Sequence, residues 1–330
     1  MSLGGVTNMW YVKIYFSGDK EIFEYDASGI QGSPAARQEF PFLESLLSFQ
    51  EMDCEDLIPA LKCICNHWER LVTENDHKAG TDAMVGLRKL ADRHIYFMLL
   101  YVRWYDRFAR MGSYGDCGSS EDQQMLAELK DVVAQFPQYQ KQIQRFFELV
   151  LDVDQAGRDP QKQAWSNYLH NEPKDPELFR FRPIPVSFEP TEEKRCSPVL
   201  YSGRILDLID YSLRSCVERQ ITVRRCKHCG RWFPQMVRVS AEYCERPVPK
   251  GEQICREIGA FQKWTKKQSD DPVFKIYRRE YKKRFARIKA GGIDDDDFKN
   301  WSKKARAEKK KCDSGAITLE EFQQWLKDSK

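Results

Sequence analysis

Four cysteines in the last third of the chain have the residue type and the spacing of a metal site. Two residues separate Cys226 from Cys229, Cys244 follows after 14 intervening residues, and Cys255 follows after another 10. A Cys-x-x-Cys pair brings two thiolates to one ion, and Gly230 supplies the permissive backbone that such a turn needs. Four thiolates around Zn²⁺ form a closed tetrahedron with no position for substrate. The spacing therefore predicts a structural zinc ion and not a catalytic one.

Two alternatives remain open at this site. The four cysteines could be free thiols, and His228 could replace one of them, although its place two residues after Cys226 favours an outward side chain. Cys255 is expected in the first turn of a helix, where the helix dipole favours a thiolate. The chain has 11 cysteines in all. This odd number, with no export signal recognisable at the start, predicts reduced thiols in a cytoplasmic protein.

The basic residues around and after these cysteines indicate a polyanionic partner. From Arg224 onward the chain carries 28 Lys and Arg against 16 Asp and Glu, whereas the residues before it carry 25 against 34. Lysine-rich surfaces bind phosphates more than they read bases, so we expect nucleic-acid binding, with DNA favoured over RNA. The candidate residues are Arg224, Arg225, Lys227, Arg231, Arg238 and Arg256 near the cysteines, and Lys275, Arg278, Arg279, Lys282, Lys283 and Arg287 beyond them.

A simpler explanation of these basic residues stays open. Thiolates on a zinc ion leave excess negative charge, which neighbouring Arg and Lys side chains offset, and a charged helix face can simply be solvated. Trp232 and Phe233 are expected to cover the cysteine turn. If one of them faces outward, it is the only candidate in this region for stacking on a base.

The segment 273 to 289 predicts a basic helix. Its apolar residues recur every three or four positions, and the remainder is almost wholly Lys and Arg. Two further helix starts follow, where Asp294 with Asp297, and Thr318 with Glu321, fit the capping pattern. The acidic run that begins at Asp294 could hold Mg²⁺, but a helix N-terminus attracts the same residues. The apolar stripe consists of Phe274, Tyr277, Tyr281, Phe285 and Ile288.

The rest of the chain is predicted to be a helical body with small β elements. "MWYVKIYF" and "EIFEYDA" around "SGDK" indicate a hairpin, and most of the sequence from residue 40 to 153 has helical periodicity. Six prolines between 171 and 200 exclude a helix there and suit an edge strand or an extended connector. The predicted organisation is a hairpin at 1–35, a helical body at 36–175, a Pro-rich junction with a strand and a helix at 176–223, and a zinc module at 224–330.

Three stretches together resemble a known family. "CKHCGRWF", "EYCERPVPKGEQICREIGA" and "YRREYKKRFARIKAGGIDDDDFKNWSKKA" are similar to an uncharacterised bacterial family with a C-terminal four-cysteine zinc finger, often found near mobile elements. The resemblance covers about residues 200 to 330. More distantly, the pattern is similar to the treble-clef-like CGNR zinc fingers of presumed transcription regulators. It departs from them in the ten residues before Cys255 and in the absence of a Gly-Asn-Arg triplet. The resemblance implies a metal-binding, treble-clef-like module without an assigned function.

Other functional classes have less support in the sequence. The acidic helical body could recognise a protein or a small ligand, with the aromatics of "HIYFMLLYVRWYDRF" lining a pocket, although helical spacing favours a core position for them. Cys63 and His67 lie one helical turn apart, but a buried cysteine beside a partly buried histidine explains them, because no orienting acid or oxyanion site accompanies them. We therefore expect no catalytic residues and no enzyme. No apolar run has the length of a membrane span, so no membrane partner is expected.

Overall fold

The computed structural model of the chain describes residues 12–26, 35–114, 117–154, 160–190, 196–236, 240–248, 253–289 and 291–329. These residues are mainly helical with small sheets, which confirms the predicted fold class. Their contacts divide the chain into two compact units. The first consists of Met1–Arg225 with Arg231–Ala241, and the second of Cys226–Gly230 with Glu242–Lys330.

The first unit begins with the predicted hairpin. Strands β1 (Val12–Ser17) and β2 (Lys20–Tyr25) pair antiparallel around a two-residue turn, in which Gly18 has a φ of 58° that side-chain-bearing residues rarely adopt. The hairpin is part of a five-stranded antiparallel sheet of order β3-β2-β1-β5-β4, with β3 at Ala36–Pro41, β4 at Val186–Pro190 and β5 at Cys196–Leu200. Of the two strands in the Pro-rich segment, β4 lies at an edge, as predicted, whereas β5 lies between β1 and β4. Pro198 of β5 is opposite Phe188 of β4 and stands outside the pairing of β5 with β1, which is how a proline is tolerated in an interior strand.

Helices pack beside this sheet, and most of them lie in segments whose periodicity predicted a helix. They are α1 (Glu44–Gln50), α2 (Cys54–Glu74), α3 (His77–Ala91), α4 (Ile95–Tyr114), α5 (Ser120–Phe146), whose end continues as a π-helix over Phe147–Leu151, α6 (Pro160–Asn171) and α7 (Ile205–Glu218). The rings of Trp68 and Trp104 lie 4.2 Å apart in the core. A Cβ at Gly80 would stand 2.6 Å from the ring of Phe108, so this glycine permits the close approach of α3 and α4.

The start of α1 is stabilised by a residue from β2. Leu43, which precedes α1, has a φ of 70° and no side chain that could cap a helix. Instead, the fully buried Glu21 accepts bonds from the amide of Ser45 at 2.5 Å and from its hydroxyl at 2.9 Å. Burial raises the pKa of Glu21 to about 8, although the bonds from Ser45 act in the opposite direction. The carboxyl is therefore mostly protonated at neutral pH.

A buried histidine, His94, directly precedes helix α4. The Nδ1 atom of His94 accepts a bond from the amide of Tyr96 at 3.1 Å, and its Nε2 lies 3.0 Å from the carbonyl oxygen of Ser45. These partners fit a neutral ring with its proton on Nε2. Burial lowers the pKa of His94 to about 4, against the opposing effect of the Ser45 carbonyl. This helix start separates α3 from α4 within the periodic segment.

The described residues of the second unit form four helices, α8 (Cys255–Asp270), α9 (Pro272–Lys289), α10 (Asp295–Asp313) and α11 (Leu319–Asp328). A core of Phe298, Trp301, Ala305, Phe322 and Leu326 joins α10 and α11, and Tyr277, Tyr281 and Ile288 of the predicted stripe on α9 pack against it. The predicted capping box of Thr318 and Glu321 is present, with bonds of 3.2 and 2.7 Å. Asp294 caps α10 through the amide of Asp296 at 3.0 Å.

Candidate metal centre

The first two cysteines lie in a tight turn. Cys226 follows directly after strand β6 (Val223–Arg225), and the amide of Gly230 donates to its carbonyl oxygen at 2.9 Å. Gly230 has a φ of 73°, in the left-handed region, so the expected role of this glycine is confirmed. The turn places the thiols of Cys226 and Cys229 on one side of the chain.

The other two cysteines are joined by a segment that folds back on itself. Pro247 and Ile254 form an isolated antiparallel bridge, and the amide of Val248 donates to the carbonyl of Gln253 at 3.0 Å. The amide of Cys255 then donates to the carbonyl of Arg246 at 3.0 Å. Because the two ends of this segment pair with each other, Cys244 and Cys255 lie close together in space although ten residues separate them in sequence. Cys255 is the first residue of α8, as the sequence predicted.

The four sulfurs converge. The Sγ atoms of Cys226, Cys229, Cys244 and Cys255 all lie within 4.8 Å of one another, and those of Cys229 and Cys244 are 3.7 Å apart. Zinc–sulfur bonds of about 2.3 Å in a tetrahedron place the sulfurs roughly 3.8 Å from each other. The donor set and its spacing therefore fit one metal ion. His228 does not belong to the group of candidate ligands found among the described residues.

The protein environment favours the ionised form of one thiol in particular. Burial alone would raise the pKa of Cys226, but the backbone amides of Cys229, Cys244 and His228 lower it to about 7. The amide of Cys244 lies 3.4 Å from this sulfur. Burial raises the pKa of Cys244 and of Cys255. A bound cation would supply the charge that ionises these two thiols.

A close contact between an aromatic ring and a glycine positions α8. A Cβ at Gly259 would stand 2.2 Å from the ring of Tyr243, so the ring lies directly on the helix backbone. Tyr243 directly precedes the candidate ligand Cys244, and Gly259 lies one helical turn after the candidate ligand Cys255. This contact was not predicted from the sequence. The only sign of this contact in the sequence is the glycine itself. A glycine inside a helix destabilises the helix, so its presence there suggests that another group approaches the backbone closely.

The basic side chains nearest the cysteines form ion pairs with carboxylates. Arg238 lies outside the described residues. The partners of the others are Asp154 for Arg224 at 2.8 Å, Glu148 for Arg225 at 3.1 Å, Glu242 for Lys227 at 2.6 Å, Glu51 for Arg231 at 3.4 Å, and Glu245 for Arg256. Arg224 also donates to the carbonyl of Ala241 at 2.9 Å. These five side chains have local partners that a phosphate would have to replace.

The basic residues of α9 differ from this group. All six predicted candidates on the helix are exposed. Within the described part of the chain, only Lys283 has a carboxylate partner, Glu280 at 3.7 Å. Lys275, Arg278, Arg279 and Lys282 follow the spacing i, i+3, i+4 and i+7, so they share one face of the helix. Arg284 is different, because its guanidinium lies 4.5 Å from the ring of Trp301 and donates to the carbonyl of Ser329.

Among the other expectations, some are corrected and one is confirmed. Trp232 and Phe233 are both buried, at 4% and 8% exposure, so neither is an outward stacking residue. Tyr96, Phe97 and Trp104 belong to the core, as their helical spacing favoured. Cys63 is exposed rather than buried, and its sulfur lies 3.9 Å from Nε2 of His67. In the acidic run, Asp295 and Asp296 pair with Lys299 at 2.9 and 3.2 Å.

The fold and the cysteine cluster define a mainly helical protein with a candidate four-cysteine metal site. A family model described as "Family of unknown function (DUF6076)" matches residues 189–330. The match includes all four cysteines and helices α7 to α11. No curated protein and no solved structure matches the chain. Among the helices that the structure describes, none has the length and apolar character needed to cross a membrane.

Proposed function

We propose that the C-terminal module, residues 224–330, binds nucleic acid, with DNA as the favoured ligand, and that a structural zinc ion in the four-cysteine site stabilises it. The observation that carries this proposal is the face of α9 formed by Lys275, Arg278, Arg279 and Lys282. These side chains are exposed and have no carboxylate partner among the described residues. Charges without carboxylate partners are available to neutralise phosphates, with release of counterions from the DNA.

The dimensions of this face suit a short stretch of duplex. Seven residues of α-helix rise by about 10 Å, and about 10 Å of duplex presents roughly three phosphates on each strand. The apolar side of the same helix packs on the core of α10 and α11, so the basic face is held in one orientation. We therefore expect α9 to make about three phosphate contacts.

Zinc has a structural role in this proposal. Four thiolates leave no open coordination position, so the ion would stabilise the turn at Cys226 and the start of α8 without acting on a substrate. A treble-clef-like arrangement, a bacterial origin, and a regulatory or mobile-element-associated role belong to the proposal through the resemblance alone. A cytoplasmic setting belongs to it through the odd number of cysteines. Metal analysis of the purified full chain, with one equivalent of zinc expected, tests the metal separately from the ligand.

The test of DNA binding uses the full chain and a fluorescent duplex at two salt concentrations. With about three contacts, the affinity should fall roughly 20-fold for a threefold rise in salt. Replacing the four face residues together, as Lys275→Gln, Arg278→Gln, Arg279→Gln and Lys282→Gln, should remove most of the binding and most of the salt dependence. The matched control changes four exposed basic residues of the helical body by the same total charge, as Lys62→Gln, Lys78→Gln, Lys89→Gln and Arg93→Gln.

The outcomes separate a specific surface from a general charge effect. Loss of binding in the α9 variant, with binding retained in the control, supports the proposal. No binding of either duplex or single-stranded DNA by the unmodified chain at low salt would refute it, as would binding that is indifferent to salt. Equal losses in both variants would show that net charge, and not α9, attracts the DNA.

A further inference from the structure

Two large aromatic side chains of the second unit are exposed beside each other. Phe261 and Trp264 on α8 are 64% and 56% exposed, although most large aromatic side chains of the chain are buried. They are three residues apart on the helix, with ring centroids 6.1 Å from each other and ring planes inclined by 30°. A single exposed ring needs no explanation, but two neighbouring exposed rings form a larger apolar surface.

The helix that carries this pair is fixed from its other side. Cys255 and Gly259, which are buried, lie on the opposite face of α8 from Phe261 and Trp264, given 3.6 residues per turn. Cys255 belongs to the metal cluster, and Gly259 lies against the ring of Tyr243. Lys263, between the two rings in sequence, pairs with Glu242 at 3.1 Å. The aromatic pair is therefore presented by a helix held at its metal end.

The helix that follows the pair is basic. Arg256 and Lys263 of α8 are paired with Glu245 and Glu242, but α9, which begins two residues after α8 ends, has eight basic residues and one acidic residue. An apolar protein surface would be poorly matched to a neighbouring helix of this charge, whereas a strand of nucleic acid combines flat apolar bases with phosphates. Base stacking on aromatic side chains next to a basic track is the usual basis of single-strand binding.

We propose that Phe261 and Trp264 form a stacking platform for unpaired bases, so that the ligand of the C-terminal module is single-stranded DNA, or a duplex with a single-stranded end. This inference rests on the proposed function, because the phosphates of the same strand contact the basic face of α9. It goes beyond the proposed function by specifying the class of nucleic acid that the module binds. Phosphates contribute charge-dependent affinity through α9, and unpaired bases contribute salt-independent affinity through the rings of α8.

The test compares three probes of equal length with the full chain: single-stranded oligo(dT), an abasic strand with the same phosphates, and duplex DNA. The unmodified protein should bind oligo(dT) at least about tenfold more tightly than the abasic strand, since each stacked base contributes about five- to 150-fold. Phe261→Ala with Trp264→Ala should reduce oligo(dT) affinity to that of the abasic strand and leave the salt dependence unchanged. Phe261→Tyr with Trp264→Phe keeps both rings and should retain binding. Trp165→Ala with Leu169→Ala removes an equally exposed apolar pair of α6 and is the matched control.

The results distinguish this inference from the proposed function. If the α9 variant loses binding while the Phe261 and Trp264 alanine variant binds all three probes normally, the proposed function stands and the platform is refuted. Equal affinity of the unmodified protein for oligo(dT) and for the abasic strand also refutes it. Loss of self-association in the alanine variant, without loss of oligo(dT) binding, would show that a second copy covers the rings and would overturn the inference. No binding to any probe at low salt refutes both proposals.

Discussion

The buried carboxyl of Glu21 makes the stability of the first unit depend on pH, and Glu21→Gln tests this dependence. The amide of glutamine can accept the bond from the backbone of Ser45 through its oxygen and donate to the Ser45 hydroxyl through its nitrogen. The variant therefore keeps the contacts that begin α1 and removes the titrating group. Any pH-dependent difference between the two proteins then reports the ionisation of Glu21.

The sign and the magnitude follow from the two pKa values. The pKa of Glu21 is raised from 4.5 to about 8 in the folded protein, so between these pH values the folded state binds more protons than the unfolded state. Stability is therefore lost as pH rises, by about 1.4 kcal/mol per pH unit in the middle of this window. Between pH 6 and pH 8 the loss amounts to roughly 2 kcal/mol. Glu21→Gln should gain about this amount relative to the unmodified protein over the same interval.

Hydrogen exchange followed by mass spectrometry suits the measurement, because peptides of α1 and α4 report on the first unit alone. Both proteins are compared at the same pH, so the intrinsic pH dependence of exchange cancels. His94 contributes in the opposite sense below pH 6.5, because burial lowers its pKa to about 4, but it is present in both proteins. The control Glu55→Gln removes an exposed carboxyl of α2 and should change stability equally at both pH values. A stability difference between Glu21→Gln and the unmodified protein that is the same at pH 6 and pH 8 would refute the reasoning.

Three further outcomes are expected in the second unit. Cys226→Ser should release the metal, detected by elemental analysis, and increase exchange in α8 while α2 to α5 stay protected; full metal content would contradict the four-cysteine site. Gly259→Ala should lower the unit's stability in denaturant unfolding by about 1–3 kcal/mol, because its methyl group would overlap the Tyr243 ring. The double variant with Tyr243→Ala should lose less than the two single changes together, and strict additivity would count against the contact. Thr318→Ala should destabilise α11 by about 1 kcal/mol, and an unchanged melting temperature would show that the cap contributes nothing.

Local features of the second unit were predictable from the sequence. The four-cysteine spacing, the left-handed glycine after Cys229, the helix start at Cys255 and the basic helix α9 each depend on residues close together in the chain. The capping box at Thr318 was predicted for the same reason. Periodicity and cap chemistry are properties of a single segment, so one sequence suffices to find them.

Features that depend on distant partners were not predictable. Strand β5 joins β1 from about 185 residues away, with Val199 opposite Tyr15, and no local pattern specifies this pairing. Glu21 was not identified as the cap of α1, since a strand residue replaces the cap that Leu43 cannot provide. The same limit applies to the arginines near the cysteines. The sequence shows that Arg225 is charged. It does not show that Glu148 is its partner, because the two residues meet only in the folded unit. A function inferred from their charge alone leaves these partners out.

The paired segment between Cys244 and Cys255 means that the distance between these ligands in sequence is not a measure of their distance in space. The bridge of Pro247 with Ile254 joins the two ends of the segment, so the sulfurs are brought together independently of the number of residues that connect the bridged positions. A search that requires a fixed number of residues between the last two cysteines would therefore miss proteins with the same metal site.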